Sequence, residues 1–264
     1  MNLPQAKSEK GAAAVLRIKN ITKIFGGLTA LEDVSFEVKD GSITGVIGPN
    51  GAGKTTLFNI VTGLYSQTSG DVYLGDKNIS FFAPETLAGM GIVRTFQNVE
   101  LFSEMTVLEN VMVGLHTKSK SGIISCAFKL PSQIKEEKYI KEKAMHWLEF
   151  TGLADHADIE AANLPFGKGR ILEISRALAV EPQVILMDEP AAGLNSLETS
   201  QLAMLIKRIR QSGITIVLVE HDMELVMNVC DSIVVLNLGK KLAEGTPREI
   251  QENQEVIAAY LGEG

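Results

Sequence analysis

Three segments follow one another along this chain and leave few folds open to it: GPNGAGKTT at residues 48–56, LPFGKGRILEISRAL at 164–178 and VILMDEPAAGLN at 184–195. The first follows an apolar run at 43–47 and precedes a helical pattern over 54–64. A GxxxxGK[ST] match carries weight in that strand–loop–helix context. Its glycines let the backbone wrap an anion without Cβ clashes, so that N–H groups from Asn50 to Thr56 can turn inward. Gly48, Pro49, Asn50, Gly51, Ala52, Gly53 and Thr56 would then line the phosphates of a nucleoside triphosphate. Lys54 would bridge the outer phosphates, and the Thr55 hydroxyl would take magnesium.

The second apolar strand, at 184–187, ends in Asp188 and Glu189. An acid after such a strand lies beside the phosphate loop, where Asp188 would hold magnesium through water. Glu189 would serve as general base on the water in line with the terminal phosphate. Two solvated strand-end carboxylates are the plain alternative, and the phosphate loop weighs against it. The middle segment opens a helix at a glycine-containing turn, with free N–H groups and a positive helix end facing an anion. The chain's own triphosphate is already held by the first loop. The second anion site, at Leu164, Pro165, Phe166, Gly167 and Lys168, is therefore left for a nucleotide carried by another subunit.

His221 follows the buried strand at 214–219 and Glu220. At the carboxyl edge of a parallel sheet, a neutral imidazole can bond the terminal phosphate and keep the water-activating carboxylate in line. His116, His146 and His156 read as structural or exposed. Gln97, in VRTFQNVELF, leaves a strand where the chain hands over to a helical region. Its amide can ligate magnesium while ATP is present and swing away afterwards; the plain alternative is an ordinary loop glutamine. Phe25, ahead of a double-glycine turn in KIFGGLTAL, can stack on adenine or belong to the core. The sequence has no NKxD guanine-reading element, which favours ATP over GTP.

The 264 residues suffice for one large domain, or for a core with a small lobe. A net charge of −7 argues against a general polyanion binder. Cys126 and Cys230 lack metal-ligand or CxxC spacing and read as two reduced packing thiols. No run approaches the roughly twenty apolar residues that cross a bilayer. The opening MNLPQAKSEKGAAAV lacks the apolar run of a cleavable signal. A soluble chain, linked to any membrane through a partner, is expected.

Residues 15–19, 34–39 and 71–74 alternate as half-solvated antiparallel strands do, whereas 43–47 reads as a central strand covered on both faces. From 164 onward, strands at 184–187, 215–219 and 232–236 are separated by helices, which predicts a mainly parallel sheet. Between 96 and 163 Gly and Pro thin out, and 134–150 carries Ile134, Tyr139, Ile140, Trp147 and Leu148 at helical intervals. The expected division is a disordered tail (1–14), a first part of an ATP-binding core with an antiparallel β subdomain (15–96), a helical subdomain (97–180), a second part of the core (181–245) and a C-terminal helical appendage (246–264).

Together these residues resemble the ATP-binding-cassette ATPase family, from about Val15 to Leu261. The resemblance implies an α/β P-loop NTPase core with a mainly parallel sheet, an antiparallel β subdomain and an inserted α-helical subdomain. It implies Phe25 on adenine, residues 48–56 on phosphates, and Thr55, Gln97 and Asp188 around Mg2+. Glu189 becomes the catalytic carboxylate, His221 the switch histidine, and 164–168 the signature loop acting in trans. FGGLTAL, GIVRTFQNVELFSEMTVLENV, DEPAAGLN, VEHDMELVM and AYLGE are similar to the ATPase subunit of branched-chain amino acid importers.

That likeness implies ATP as fuel, a second ATPase subunit in a homo- or heterodimer, two transmembrane permease subunits and, indirectly, a periplasmic or extracellular substrate-binding protein. It implies no nucleic-acid partner, and a peripheral place on the cytoplasmic face of the inner membrane. A permease helix would dock near 96–113, where Phe102, Met105 and Leu108 could receive it, and these residues could equally be lobe core. The chain departs from the pattern where the usual LSGGQ reads LPFGK: Pro165 removes a hydroxyl and an N–H, and Lys168 adds a charge. Asn195 stands where many members carry Asp. Alternatives keep the ATPase and change the cargo to urea, other amino acids or exported lipopolysaccharide. A soluble repair or translation ATPase would show two cassettes or long coiled-coil inserts, and a non-catalytic assembly module runs against Glu189 and His221.

Overall fold

The computed structural model describes residues 14–95, 100–116 and 131–261. They form two compact units, one of residues up to Arg94 together with those from Gln183 onward, the other from Thr95 to Pro182. Gln97, Cys126 and the polar loop at 118–124 lie outside the described residues. So does the expected tail, apart from Ala14, which already pairs with Lys39.

The strands among the described residues are β1 (Ala14–Phe25), β2 (Leu28–Lys39), β3 (Ile43–Ile47), β4 (Ser69–Leu74), β5 (Lys77–Asn78), β6 (Ile92–Thr95), β7 (Val184–Asp188), β8 (Thr215–Val219), β9 (Ser232–Asn237) and β10 (Lys240–Gly245). An antiparallel sheet runs in the order β2-β1-β4-β5 and a second sheet in the order β10-β9-β3-β8-β7-β6. In the first sheet the alternation buries Leu16, Ile18 and Ile21 of β1 and Val34, Phe36 and Val38 of β2. β1 continues well past residue 19, through Asn20 at φ +50 and a register shift between Ile18 and Ile21. That bulge breaks the period of two on which a sequence reading depends.

β3, β7 and β8 are buried at every position, as continuous apolar runs flanked by strands on both sides should be. β3 lies between β8 and β9 and is parallel to both, while β7 is parallel to β8. β10 was not expected. It turns back antiparallel on β9 through Leu238 (φ +48) and Gly239 (φ +80), the two positive φ values of a tight hairpin. Its sequence, KKLAEG, has no β-branched residue to announce a strand. One apolar cluster joins the sheets of this unit, with Phe36, Val46, Leu57, Phe58, Leu186, Val217 and Val234 among its members. Each such side chain contributes about 1.5–3 kcal/mol by leaving water.

The second unit packs the helices Val107–His116, Pro131–Thr151 and Phe166–Ala179 around Val107, Val111, Ile140, Ala144, Leu148 and Leu172. Ile140, Ala144 and Leu148 recur every fourth residue, the spacing of one helix face. Tyr139 falls one position off that face and is half exposed, contrary to its place in the expected apolar pattern. A Cβ on Gly114 would come within 2.5 Å of the Arg176 carbonyl, so the first and third helices touch backbone to backbone there.

Candidate functional site

Register across the central sheet brings the chemistry to one edge. Val46 pairs with Val219, and Val219 with Asp188. The phosphate loop leaving β3, the acids ending β7 and the Glu220–His221 pair following β8 therefore emerge side by side. Ligands of open parallel sheets bind at such carboxyl edges.

The loop itself is shaped for close approach of an anion to the backbone. Gly48 has φ +151, and a Cβ there would lie 2.0 Å from the Leu236 carbonyl oxygen. Gly53, at φ +101, caps the helix Lys54–Val61; a Cβ on it would meet Leu31 Cδ2 at 2.6 Å and the Ala30 carbonyl oxygen at 2.8 Å. Neither position tolerates a side chain. No side chain caps this helix and no acid occupies its first turn, so its N–H groups and positive end are left to a ligand. Pro49 and Ala52 are buried, Asn50, Gly51 and Thr55 exposed, and Thr56 half-buried. Lys54 is buried, and its ammonium donates to the carbonyl oxygens of Gly48 at 2.6 Å and Pro49 at 3.0 Å. The positive charge thus sits inside the curl of the loop.

The two acids ending β7 have different surroundings. Asp188 Oδ2 takes a charge-assisted bond from Arg94 Nη2 at 2.6 Å, with both side chains 7% exposed. Arg94 Nη1 donates to Asn59 Oδ1, and its guanidinium lies 5.7 Å from the centre of the Phe58 ring. Glu189 adopts φ +47, a left-handed conformation that a glutamate takes only when neighbours hold it there. Its N–H donates to the Val219 carbonyl at 2.9 Å, and its Oε2 lies 3.8 Å from His221 Nδ1. The imidazole is largely exposed and the Glu189 carboxyl mostly covered, at 64% and 23% of their side-chain areas. A carboxylate and an imidazole so arranged can share one water and one phosphate oxygen.

Magnesium takes oxygen ligands, keeps waters, and binds through one or two carboxylates and phosphate oxygens. The hydroxyl of Thr55 and the carboxylate of Asp188 fit that donor chemistry. Sequence reasoning identified both but missed Arg94, whose partner is chosen by sheet order and not by spacing. It missed Glu220 as well, although VEHD puts a third acid directly beside the histidine.

In the second unit, Pro165 caps the helix Phe166–Ala179 at φ −55 and ψ 148, and its carbonyl accepts from the Gly169 N–H at 3.0 Å. The cap offers no side-chain acceptor to the first-turn N–H groups. Phe166 is exposed, Leu164 half-buried and Gly167 buried. Lys168 Nζ lies against His156 Nε2 at 2.5 Å, a structural contact for that histidine.

Back in the first unit, Asn195 caps Ser196–Gln211, accepting from the N–H groups of Leu197 and Glu198 at 3.0 Å each. Asn and Asp serve equally there. Phe25 is 40% exposed, with the Tyr65 ring edge-on at 5.5 Å and the Lys23 ammonium 4.6 Å from its centre. In the second unit, Phe102 and Met105 are exposed at 45% and 37%, and Arg176 lies 5.5 Å from the centre of the Phe102 ring.

Residues 31–192 match the family described as ABC transporter, and residues 240–264 match the one described as branched-chain amino acid ATP-binding cassette transporter. The chain is similar to the high-affinity branched-chain amino acid transport ATP-binding protein LivG of Salmonella typhimurium, 46% identical over 250 residues that cover 94% of this chain and 98% of the relative. Among solved structures it is similar to the ADP conformation of an ATP-binding cassette of an ABC transporter, with TM-score 0.83 and 37% identity over 95% of this chain and 99% of that one. It is also similar to the dimeric post-hydrolysis state of an ATP-binding cassette bound to ADP and Pi, with TM-score 0.73 and 27% identity over 88% of this chain and 99% of that one. With the phosphate loop and the paired acids inside the matched span, the chain belongs to the ABC transporter family, as one of its ATP-binding ATPase subunits.

Proposed function

We propose that this chain is the ATP-hydrolysing subunit of a branched-chain amino acid importer, working as a dimer on the cytoplasmic face of the membrane. The observation that carries the catalytic reading is the Glu189–His221 pair, 3.8 Å apart at the same sheet edge as the phosphate loop. The cargo reading rests on the name and near full-length coverage of the LivG relative and on the match at 240–264. No described helix is long and apolar enough to cross a membrane, so translocation is assigned to permease subunits.

In this mechanism the N–H groups of residues 50–56 bind the phosphates, and Lys54 leaves the Gly48 and Pro49 carbonyls to reach the terminal phosphate. Thr55, Asp188 and Gln97 would hold Mg2+, which would supply charge neutralisation at the phosphate oxygens. Glu189 takes the proton of the attacking water, while His221 bonds the terminal phosphate and keeps the carboxylate in line. Phe25 stacks on adenine. The first turn of the signature helix at 164–168 acts on the nucleotide of the partner subunit, so ATP joins two unlike faces and its cleavage lets them part. Phe102 and Met105 receive a permease helix.

Glu189→Gln tests the chemistry. Nucleotide binding should persist, while phosphate release by the assembled transporter falls at least about a hundredfold, since general acid–base groups contribute 10²–10⁴. An unchanged rate would remove Glu189 from its role. Uptake of radiolabelled leucine against urea in vesicles carrying the assembled transporter tests the cargo, and preference for urea would overturn that assignment.

A further inference from the structure

Glu220 has no role in the mechanism above, yet it is 1% exposed and sits between its two principal residues. Its Oε1 accepts from the Ala191 N–H at 2.8 Å, and its Oε2 accepts from the N–H groups of His221 at 3.0 Å and Asp222 at 3.2 Å. One carboxylate therefore grips the turn after Glu189 with one oxygen and the segment carrying His221 with the other.

A carboxyl group in that position costs free energy unless its oxygens are fully engaged. Burial raises its pKa, and the three N–H groups oppose the rise. A residue serving only to fill space would be apolar. What the acid supplies is two acceptor oxygens aimed at donors on two different segments, which no apolar side chain offers. The turn it grips also needs holding: Glu189 stays at φ +47 only while its neighbours over-determine it. Its own N–H is tied to Val219, and two residues on, Ala191 is tied to Glu220. These two bonds bracket the strained residue and fasten it to the strand that leads into His221.

We infer that Glu220 is a positioning residue that locks the Glu189 turn to the His221 segment, so that the two groups acting on the attacking water are set as one rigid piece. The inference rests on the ATPase reading given above. Its signature is a loss of turnover without loss of nucleotide binding, because the phosphates are held by residues 48–56, which Glu220 does not touch.

Glu220→Gln is the informative substitution, since it keeps size and shape. An amide has one acceptor oxygen and sets its NH2 against an N–H donor, so one of the two grips must fail. In the transporter purified through this chain, kcat should fall at least about tenfold, with the KM for ATP and the affinity for a fluorescent ATP analogue both within about twofold. Placed in the Glu189→Gln background, the same substitution should lower the residual rate no further, because groups acting through one another are not additive. Glu220→Asp keeps both oxygens on a shorter arm and should recover part of the lost kcat.

An unchanged kcat in Glu220→Gln would overturn the inference, as would an equal loss in both backgrounds. A parallel loss of analogue affinity, or failure of both Glu220 variants to assemble, would mark the residue as structural and overturn it too. Full turnover in Glu189→Gln alone would sink the general-base reading itself, and this inference with it, which separates the two failures.

Discussion

Arg94 Nη2 lies 2.6 Å from Asp188 Oδ2, joining β6 to the end of β7, and its other terminal nitrogen reaches Asn59 on the helix that follows the phosphate loop. Both partners are 7% exposed, so neither charge has water as an alternative. Breaking such a pair from one side leaves a buried charge uncompensated, at a cost of about 3–5 kcal/mol. Arg94→Met should therefore lower the unfolding free energy by about 3 kcal/mol, read by chemical denaturation. Adding Asp188→Asn should restore part of that loss, because it removes the orphaned charge. Equal instability of single and double variants would mean that the guanidinium acts through packing on Phe58 instead.

Phe25 is held as a platform: Tyr65 meets it edge-on and the Lys23 ammonium covers part of its surroundings while donating to the Ser66 carbonyl at 2.6 Å. An edge-to-face pair contributes about 0.5–1.5 kcal/mol beyond its buried area. If the exposed part of the ring receives adenine, Phe25→Leu and Tyr65→Ala should each raise the KM for ATP by roughly 3- to 10-fold while leaving kcat in place. A fall in kcat with an unmoved KM would assign the ring to the core.

These contacts mark where the sequence was legible and where it was not. The apolar runs of β3, β7 and β8 read directly as buried central strands, and Gly48 and Gly53 of the phosphate loop stand where the backbone is closely approached. Asp188, Glu189 and His221 followed because each trails such a strand. The partners of those residues did not follow. Arg94 meets Asp188 only because β6 lies beside β7, and Lys168 meets His156 across 12 positions that no periodicity connects. Elements failed to announce themselves where local propensity was weak: β10 lacks β-branched residues, and β1 passes through a bulge at Asn20. Propensity and period are local quantities, whereas ion pairs depend on which strands end up adjacent.

Cys230 gives a clear chemical test of core packing. Burial, with the charges of Asp231 and Glu220, pushes its thiol up to about 12. The thiolate is the reactive form, so iodoacetamide at pH 8 should leave Cys230 unmodified in the folded chain and label it after denaturation, as read by mass spectrometry. The sulfur also fills the space beside Gly45: a Cβ there would stand 2.9 Å from Sγ. Gly45→Ala should lower stability by about 1–3 kcal/mol, the usual cost of overpacking. Ready labelling of the native chain would contradict the burial from which both expectations follow.

The C-terminal segment should lose its helix start in acid. Glu249 accepts from the Thr246 N–H at 2.7 Å and from the Thr246 hydroxyl at 2.9 Å, closing a capping box at the start of Pro247–Glu252. The backbone bond from Thr246, and then its hydroxyl, hold the Glu249 carboxyl below its ordinary value of 4.5, against a small opposing effect of burial. A depressed folded-state pKa places the sign. The cap contributes fully above the unfolded value and is lost as pH falls through the folded one. Between pH 5 and 8 this helix start should therefore not change. Below the ordinary value of 4.5, as the Glu249 carboxyl takes up its proton in an NMR titration, the Thr246 amide should shift and lose exchange protection. Thr246→Ala removes the hydroxyl but keeps the backbone N–H, so it should move the Glu249 titration part of the way back toward 4.5. A carboxyl that titrates at the ordinary value in the parent chain would mean that the box is open in solution. One that does not move in the variant would leave the backbone bond as the sole cause.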